Sequence, residues 1–208
     1  MSQDLLAELD SAGLKGLSLG DGGLRHFLAI KGAVRTLPDF KGLKTRIVPV
    51  ALHKAMWEAV GTNPVGLAYD EIFTSLQTKT IDAVEINVSS VFSENMWEAA
   101  KHLTLTGHYF WPGVLAFNKA RFDKLPADVQ KAMLDAGREI IRPQVQNTAL
   151  NEDDKTKELL KRGVQIHQFT DLAAMRERMK PIVDQWTTKD PKIASFVSFA
   201  QSVEKTIK

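Results

Sequence analysis

KTRIVPVALHKAMWEAVGTNPVGLAYDEIFTSLQTKTIDAVEIN, residues 44–87, reads as strand, helix, strand, helix and strand in succession. Lys44–Val48 is a compact strand. Residues 51–60 place Leu52, Met56 and Val60 on one helical face and end at Gly61. Pro64–Leu67 is extended. Residues 70–79 form the next helix, with Asp70 positioned as its N-cap and Ile72, Phe73 and Leu76 as its apolar face. Ile81–Asn87 returns as a strand. Short strands alternating with helices define an α/β class.

The same alternation extends outward. Residues 4–13 form a short amphipathic helix through Leu5, Leu6 and Leu9. Leu14–Leu19 is a strand, Gly20-Asp21-Gly22-Gly23 a turn, and residues 24–30 are extended. Leu37–Gly42 carries Pro and Asp at the start of a helical turn. Downstream, residues 89–101 are helical, and strands Leu103–Phe110 and Val114–Phe117 break at Trp111-Pro112-Gly113. From Leu125-Pro126 to Arg162 the pattern stays helical, about 55 Å if continuous, and Pro143 is expected to kink or divide it. Val164–His167 is a short strand, and helices cover 171–187 and 191–206. Neither an internal repeat nor a Gly/Ser/Pro-rich linker interrupts the chain, which suits lobes joined by several crossing strands.

Composition narrows the function classes. The 208 residues suffice for one good core or two small lobes. With 27 basic against 25 acidic side chains, interleaved, there is no general drive toward nucleic acid or an anionic membrane. The absence of cysteine excludes disulfides, thiolate metal sites and cysteine nucleophiles. No apolar run approaches the ~20 residues of a membrane span, and Met1-Ser2-Gln3-Asp4 shows no basic region followed by an apolar run, so no signal peptide is expected here.

Enzyme chemistry finds little footing. Gly20-x-Gly22 is followed by Arg25 where a dinucleotide fingerprint needs its third glycine. His26, His53, His102, His108 and His167 show no helical i, i+4 pairing and no HExxH, so neither a metal nor a cofactor is expected. No nucleophile elbow is visible. Trp57, Trp97 and Phe92 sit at helical spacings that suit core packing.

Three stretches read together carry a resemblance: Asp39-Phe40-Lys41-Gly42-Leu43-Lys44-Thr45-Arg46-Ile47; then Val60-Gly61-Thr62-Asn63-Pro64 leading to Tyr69-Asp70-Glu71-Ile72-Phe73-Thr74-Ser75-Leu76-Gln77-Thr78 and Ile81-Asp82-Ala83-Val84-Glu85; and Phe122-Asp123-Lys124-Leu125-Pro126-Ala127-Asp128-Val129-Gln130. In this order and spacing the chain resembles the DctP-type solute-binding proteins of tripartite ATP-independent periplasmic (TRAP) transporters, from about residue 4 to about residue 187. The resemblance implies a two-lobed, type II binding-protein fold with lobe-spanning strands, a long bracing helix and an incomplete first lobe, since the family's N-terminal third has no counterpart. Residues 1–22 and 112–150 are then the remnant of lobe I, residues 23–111 and 151–187 form lobe II, and 188–208 is a C-terminal helix.

The implied function is capture of a small organic carboxylate in the periplasm for delivery to TRAP membrane subunits, without turnover. The resemblance makes Arg46 the carboxylate clamp, and a guanidinium's parallel N–H pair matches two carboxylate oxygens as lysine cannot. Arg25, about twenty positions earlier, is the second basic candidate. Tyr69 matches the wall beside the ligand, Glu85 is a candidate partner for a ligand hydroxyl or amine, and Trp111 lies where strands cross between lobes. Asn87 stands one residue beyond the family's asparagine, a slip that would turn it to the other strand face. Glu71 is read as structural, in a first helical turn that favours negative charge. The ordinary alternatives are salt-bridged or surface arginines and packed aromatics. A sensor or structural module, or an enzyme acting on a carboxylate, are the rival functions. An open lobe I sheet edge also raises the expectation of self-association.

Overall fold

The computed structural model describes residues 2–207. Met1 and Lys208, the outer ends of two expected segments, lie outside the described residues. Six strands, β1 (Leu14–Ala29), β2 (Lys44–Ile47), β3 (Asn63–Gly66), β4 (Ala83–Asn87), β5 (His102–Asn118) and β6 (Gln165–Gln168), form one mixed sheet in the order β3-β2-β4-β1-β5-β6. β2 runs parallel to β3 and β4, and β6 runs parallel to β5. β1 is antiparallel to both β4 and β5. The helices are α1 (Ser2–Glu8), α2 (Ala51–Ala59), α3 (Ile72–Gln77), α4 (Val88–Ser93), α5 (Lys119–Phe122), α6 (Ala127–Glu139), α7 (Ile141–Lys161), α8 (Leu172–Thr187) and α9 (Pro191–Ile207).

The expected break in the first strand pair is absent. β1 is one strand of 16 residues and β5 one of 17. The glycine-rich segment does not turn the chain; it forms a bulge, because Asp21 pairs with Pro112 and Leu24 with Phe110, leaving one extra residue in β1. Trp111-Pro112-Gly113 likewise stays within β5. Residues 25–29 of β1 pair on both sides, whereas residues 14–21 pair only with β5. The long pair therefore leaves the sheet as a two-stranded ribbon, covered by α1, α6 and α7.

Strand alternation sorts two cores onto opposite faces. Leu28, Val84, Ile86 and Leu103 pack with Ile72 and Leu76 of α3, Val91 of α4 and Leu159 of α7. Phe27, Ala83 and Ile47 pack with Phe40, Trp57 of α2 and Met175 and Met179 of α8. The Phe27 ring meets Phe40 edge-on at 4.9 Å, a geometry aromatic quadrupoles favour, and lies tilted against Trp57 at 5.4 Å. Trp57 thus packs as its spacing implied, while Phe92 and Trp97 lie partly buried against the first core.

Several boundaries differ from sequence expectation. The long helix divides at Ile140, between α6 and α7. Pro143 is the physical reason: it donates no N–H, and its ring collides with a carbonyl four residues back, at Glu139, the last residue of α6. The helix expected over 70–79 begins at Ile72, and Glu71, not Asp70, occupies its N-cap. Residues 89–101 split into α4 and a 3-10 turn at Met96–Glu98, separated at Asn95, which has a φ of 52°.

α6 meets the ribbon at Gly137, where a Cβ would lie 2.3 Å from the Leu17 carbonyl oxygen. Gly137→Ala should therefore lower the melting temperature by about 3–8 °C, although alanine is the better helix former by about 1 kcal/mol. Calorimetry showing a rise would mean that α6 does not sit this close to β1.

Candidate functional site

Arg46 lies in β2 with Thr45 and Ile47, both buried, on either side. It pairs with Val84 of β4, at the carboxyl ends of parallel strands where α/β sheets take ligands. Only 4% of it is exposed. Its Nε and Nη2 donate to the Leu67 carbonyl at 3.1 and 2.9 Å. Among the described residues no hydrogen bond engages Nη1. Nη1 and the second Nη2 hydrogen, which form the end-on donor pair of a guanidinium, have no partner among the described residues. Burial lowers the Arg46 pKa, the Glu85 charge opposes that, and the Arg25 charge adds to it.

Arg25 and Glu85 form a buried ion pair. The register places Arg25 opposite Asn87 and Phe27 opposite Glu85, so these side chains share one sheet face. Arg25 donates from Nε to Glu85 Oε2, from Nη2 to Glu85 Oε1 at 2.8 Å, and from Nη2 to the Glu85 carbonyl. Glu85 is 0% exposed. Both of its carboxylate oxygens engage Arg25. Burial pushes its pKa up, but the His108 and His53 rings and Arg25 outweigh burial and hold the carboxyl well below the usual range.

The histidines come from distant elements. His53 Nδ1, on α2, lies 3.6 Å from Glu85 Oε1, and His108 Nε2, on β5, lies 3.9 Å from Oε2. Both separations exceed a normal hydrogen bond, and both ring nitrogens are buried without a hydrogen-bond partner. Burial lowers the His108 pKa; Glu85 opposes this, whereas Arg25 and His53 reinforce it. His26 Nδ1 accepts from the Gly107 N–H at 3.1 Å, and burial with the nearby His108 brings its pKa down to about 4.

Trp111 lies over the Arg25 guanidinium, 4.6 Å from the ring centre. His53 meets Tyr109 at 5.3 Å and Trp111 at 6.3 Å, so two aromatic rings roof the ion pair. Asn87 lies on the Arg25 side, the strand face opposite Ile86, as a slip of one residue requires, and its Nδ2 donates to the Gly22 carbonyl at 2.6 Å. Tyr69, 47% exposed, stands in the segment after β3. Glu71 accepts from the Ala68 N–H at 2.9 Å and so holds the turn at the head of α3. Sequence reasoning missed His53, His108 and Tyr109, because no local spacing links α2 to β5.

Two hollows flank this cluster. The one between His53, Trp57, Glu85, His108, Tyr109 and Met179 holds about 10 Å³, the size of one water. The other, about 190 Å³, lies at the carboxyl ends of β2 and β3 against the first turn of α2, between Ile47, Val50, Lys54, Pro64 and Gly66. Among the described residues no group of side chains fits a metal ion, and no helix is long and apolar enough to cross a membrane.

A family model described as DctP, bacterial extracellular solute-binding protein, family 7, matches residues 1–190. A solute-binding protein of Verminephrobacter eiseniae is 34% identical over 93% of this chain and 58% of its own length. The 2,3-diketo-L-gulonate-binding periplasmic protein of Escherichia coli is 30% identical over 98% of this chain and 62% of its own. A TRAP periplasmic solute-binding protein from Bradyrhizobium, solved with galacturonate, superposes with a TM-score of 0.90 at 31% identity, over 96% of this chain and 66% of that one. The chain thus spans about 60% of the length of the curated relatives it matches. The α/β, two-lobed type II architecture expected from the sequence is that of the matched structures.

Two outcomes follow from the ion pair and its histidines. Glu85→Ala leaves a buried guanidinium uncompensated and should cost about 3–5 kcal/mol in denaturant unfolding, whereas Arg25→Met combined with Glu85→Leu should recover most of it; a double variant as unstable as the single would contradict this. A histidine held neutral by the fold adds stability that is full above 6.5 and lost as pH falls toward about 4. Glu85, held below its usual range, adds stability that is lost only at lower pH. His26→Gln should therefore remove about one proton's worth of slope in stability between pH 6.5 and 4, and an unchanged slope would show that His26 already titrates normally.

Proposed function

We propose that this chain, which belongs to the DctP family of bacterial extracellular solute-binding proteins, captures a sugar acid in the periplasm and delivers it to the membrane subunits of a TRAP transporter. Arg46 clamps the carboxylate. The observation that carries this reading is an imbalance of buried charge: two guanidiniums, Arg25 and Arg46, face one carboxylate, Glu85, which Arg25 engages at both oxygens. A ligand carboxylate on the end-on donors of Arg46 completes the balance, in the forked geometry that an arginine offers and a lysine lacks.

The sugar part of the ligand follows from the surroundings. Tyr109 and Trp111 offer aromatic surface beside the arginines, and Asn87 and Tyr69 offer polar groups that suit hydroxyls. Galacturonate and D-glucuronate accompany structures similar to this chain, which supports a hexuronate or a related sugar acid. Arg25 contributes positive potential and holds the aromatic roof, with Glu85 orienting it. In this reading residues 23–111 and 151–187 form one lobe, and the ribbon halves in 1–22 and 112–150 reach toward the other. Capture without turnover fits Glu85, the carboxylate at the centre, being fully engaged by Arg25.

The test is titration of the full chain with galacturonate and, as the neutral control, galactose. Galacturonate should bind and galactose should not. Arg46→Ala and Arg46→Lys should each weaken galacturonate binding about tenfold or more, since each removes two charge-assisted hydrogen bonds or their forked alignment. Equal binding of the acid and the neutral sugar, or unchanged affinity in Arg46→Lys, would defeat the clamp.

A further inference from the structure

The bulge in β1 is held by a polar ladder on α7. Gln144, Thr148 and Glu152 recur every four residues and so lie along one face of the helix. Gln144 Oε1 accepts from the Asp21 N–H at 2.7 Å, and Gln144 Nε2 donates to the Asp21 carbonyl at 2.5 Å. One side-chain amide thus satisfies both backbone groups of Asp21, as a neighbouring strand would. The Thr148 hydroxyl donates to the same carbonyl at 3.1 Å. Glu152 Oε2 accepts from the Leu24 N–H at 3.3 Å, beyond the bulge. Inside it the Gly23 N–H donates to Asp21 Oδ1 at 2.7 Å.

Side chains pack close against the two bulge glycines. Gly23 has a φ of +87°, and a Cβ there would lie 2.2 Å from Glu152 Oε1. A Cβ on Gly22 would lie 2.5 Å from Trp111 Cδ1. On the other side the Gly22 carbonyl accepts from Asn87 Nδ2. Trp111 in turn covers the Arg25 guanidinium. The α7 ladder therefore reaches the arginine cluster through two bulge glycines, by way of one side chain from β4 and one from β5.

We propose that Gln144, Thr148 and Glu152 are positioning residues for the acid-binding site, fixing the Asp21–Gly23 bulge so that Asn87 and Trp111 stand in place around Arg25. This rests on the reading of that cluster as the acid site. The bulge lies where β1 passes from the sheet into the ribbon, so α7 sets the site from the one point where the two regions join.

The experiment uses the full ¹⁵N-labelled chain with Gln144→Ala, Glu152→Ala and the conservative Glu152→Gln, which keeps an oxygen acceptor for the Leu24 N–H. Amide hydrogen exchange should accelerate about tenfold at Asp21 in Gln144→Ala and at Leu24 in Glu152→Ala. The Asn87 side-chain amide and Trp111 indole N–H resonances should shift in both, while exchange at Val84 and Ile86 stays at wild-type rates. Galacturonate affinity should fall about tenfold in both, and Glu152→Gln should restore every signal. Wild-type Asn87 and Trp111 resonances in both alanine variants, with only the melting temperature lowered, would overturn the proposal. The resonance shifts are read without ligand, so failure of galacturonate to bind the wild type would count against the acid-site reading and leave the positioning role to be decided by the spectra.

Discussion

A buried guanidinium must have a counter-charge, and much of the arrangement on the Phe27 face of the sheet follows from that constraint. Arg25 is buried on β1 with Glu85 opposite it on β4, and three hydrogen bonds join them. Removing a charge from water costs several kcal/mol per ion, so neither side chain is tolerable there without the other. The pair fixes the register of β1 against β4, and with it the placement of Asn87. It also sets the demand on the packing around it: His53, His108, Tyr109 and Trp111 close over the pair and keep bulk water from screening it. Arg46 shares this low-dielectric region and, among the described residues, donates to the Leu67 carbonyl and to no carboxylate. A binding protein for acids needs such a standing positive charge before the ligand arrives, held in geometry so that little ordering remains to be done on binding.

The class of the fold was legible where local patterns agree with tertiary structure. The strand–helix alternation of residues 44–87 survives with shifts of one or two residues, because apolar spacing and Gly61 point the same way. Gly20–Gly23 did not survive as a turn. Its glycines supply turn chemistry, but β5 continues alongside on both sides, so the extra residue becomes a bulge. Asp70 is a good cap by type, yet the chain begins its helix after Glu71, where tertiary packing outweighs capping propensity. Pro143 announced the division of the long helix correctly, and the steric rule places the break three residues earlier.

The site was legible in part. Arg46 could be singled out because it sits inside a recognisable strand entry. Arg25 and Glu85 could each be suspected, but their mutual pairing could not, since they lie 60 residues apart and meet only through an antiparallel register. Glu85 was a candidate ligand contact by type, and its bidentate engagement by Arg25 became visible only in the fold. The displacement of Asn87 was legible, and period-two alternation carries it to the face of Glu85, opposite Ile86 and beside Arg25. His53 and His108 carried no signal at all: one lies on a helix, the other on a crossing strand, and only folding brings them to the same carboxylate.

The central claim is that an unmatched, forked cation at residue 46 selects the carboxylate. Side-chain NMR of ¹³C,¹⁵N-arginine-labelled chain during titration with galacturonate tests it most directly. The Arg46 Nη protons should move downfield and their C–N rotation slow as acid is added, while the Arg25 Nε proton, already held by Glu85, stays where it was. Binding of galacturonate that leaves every Arg46 signal unmoved would contradict the claim.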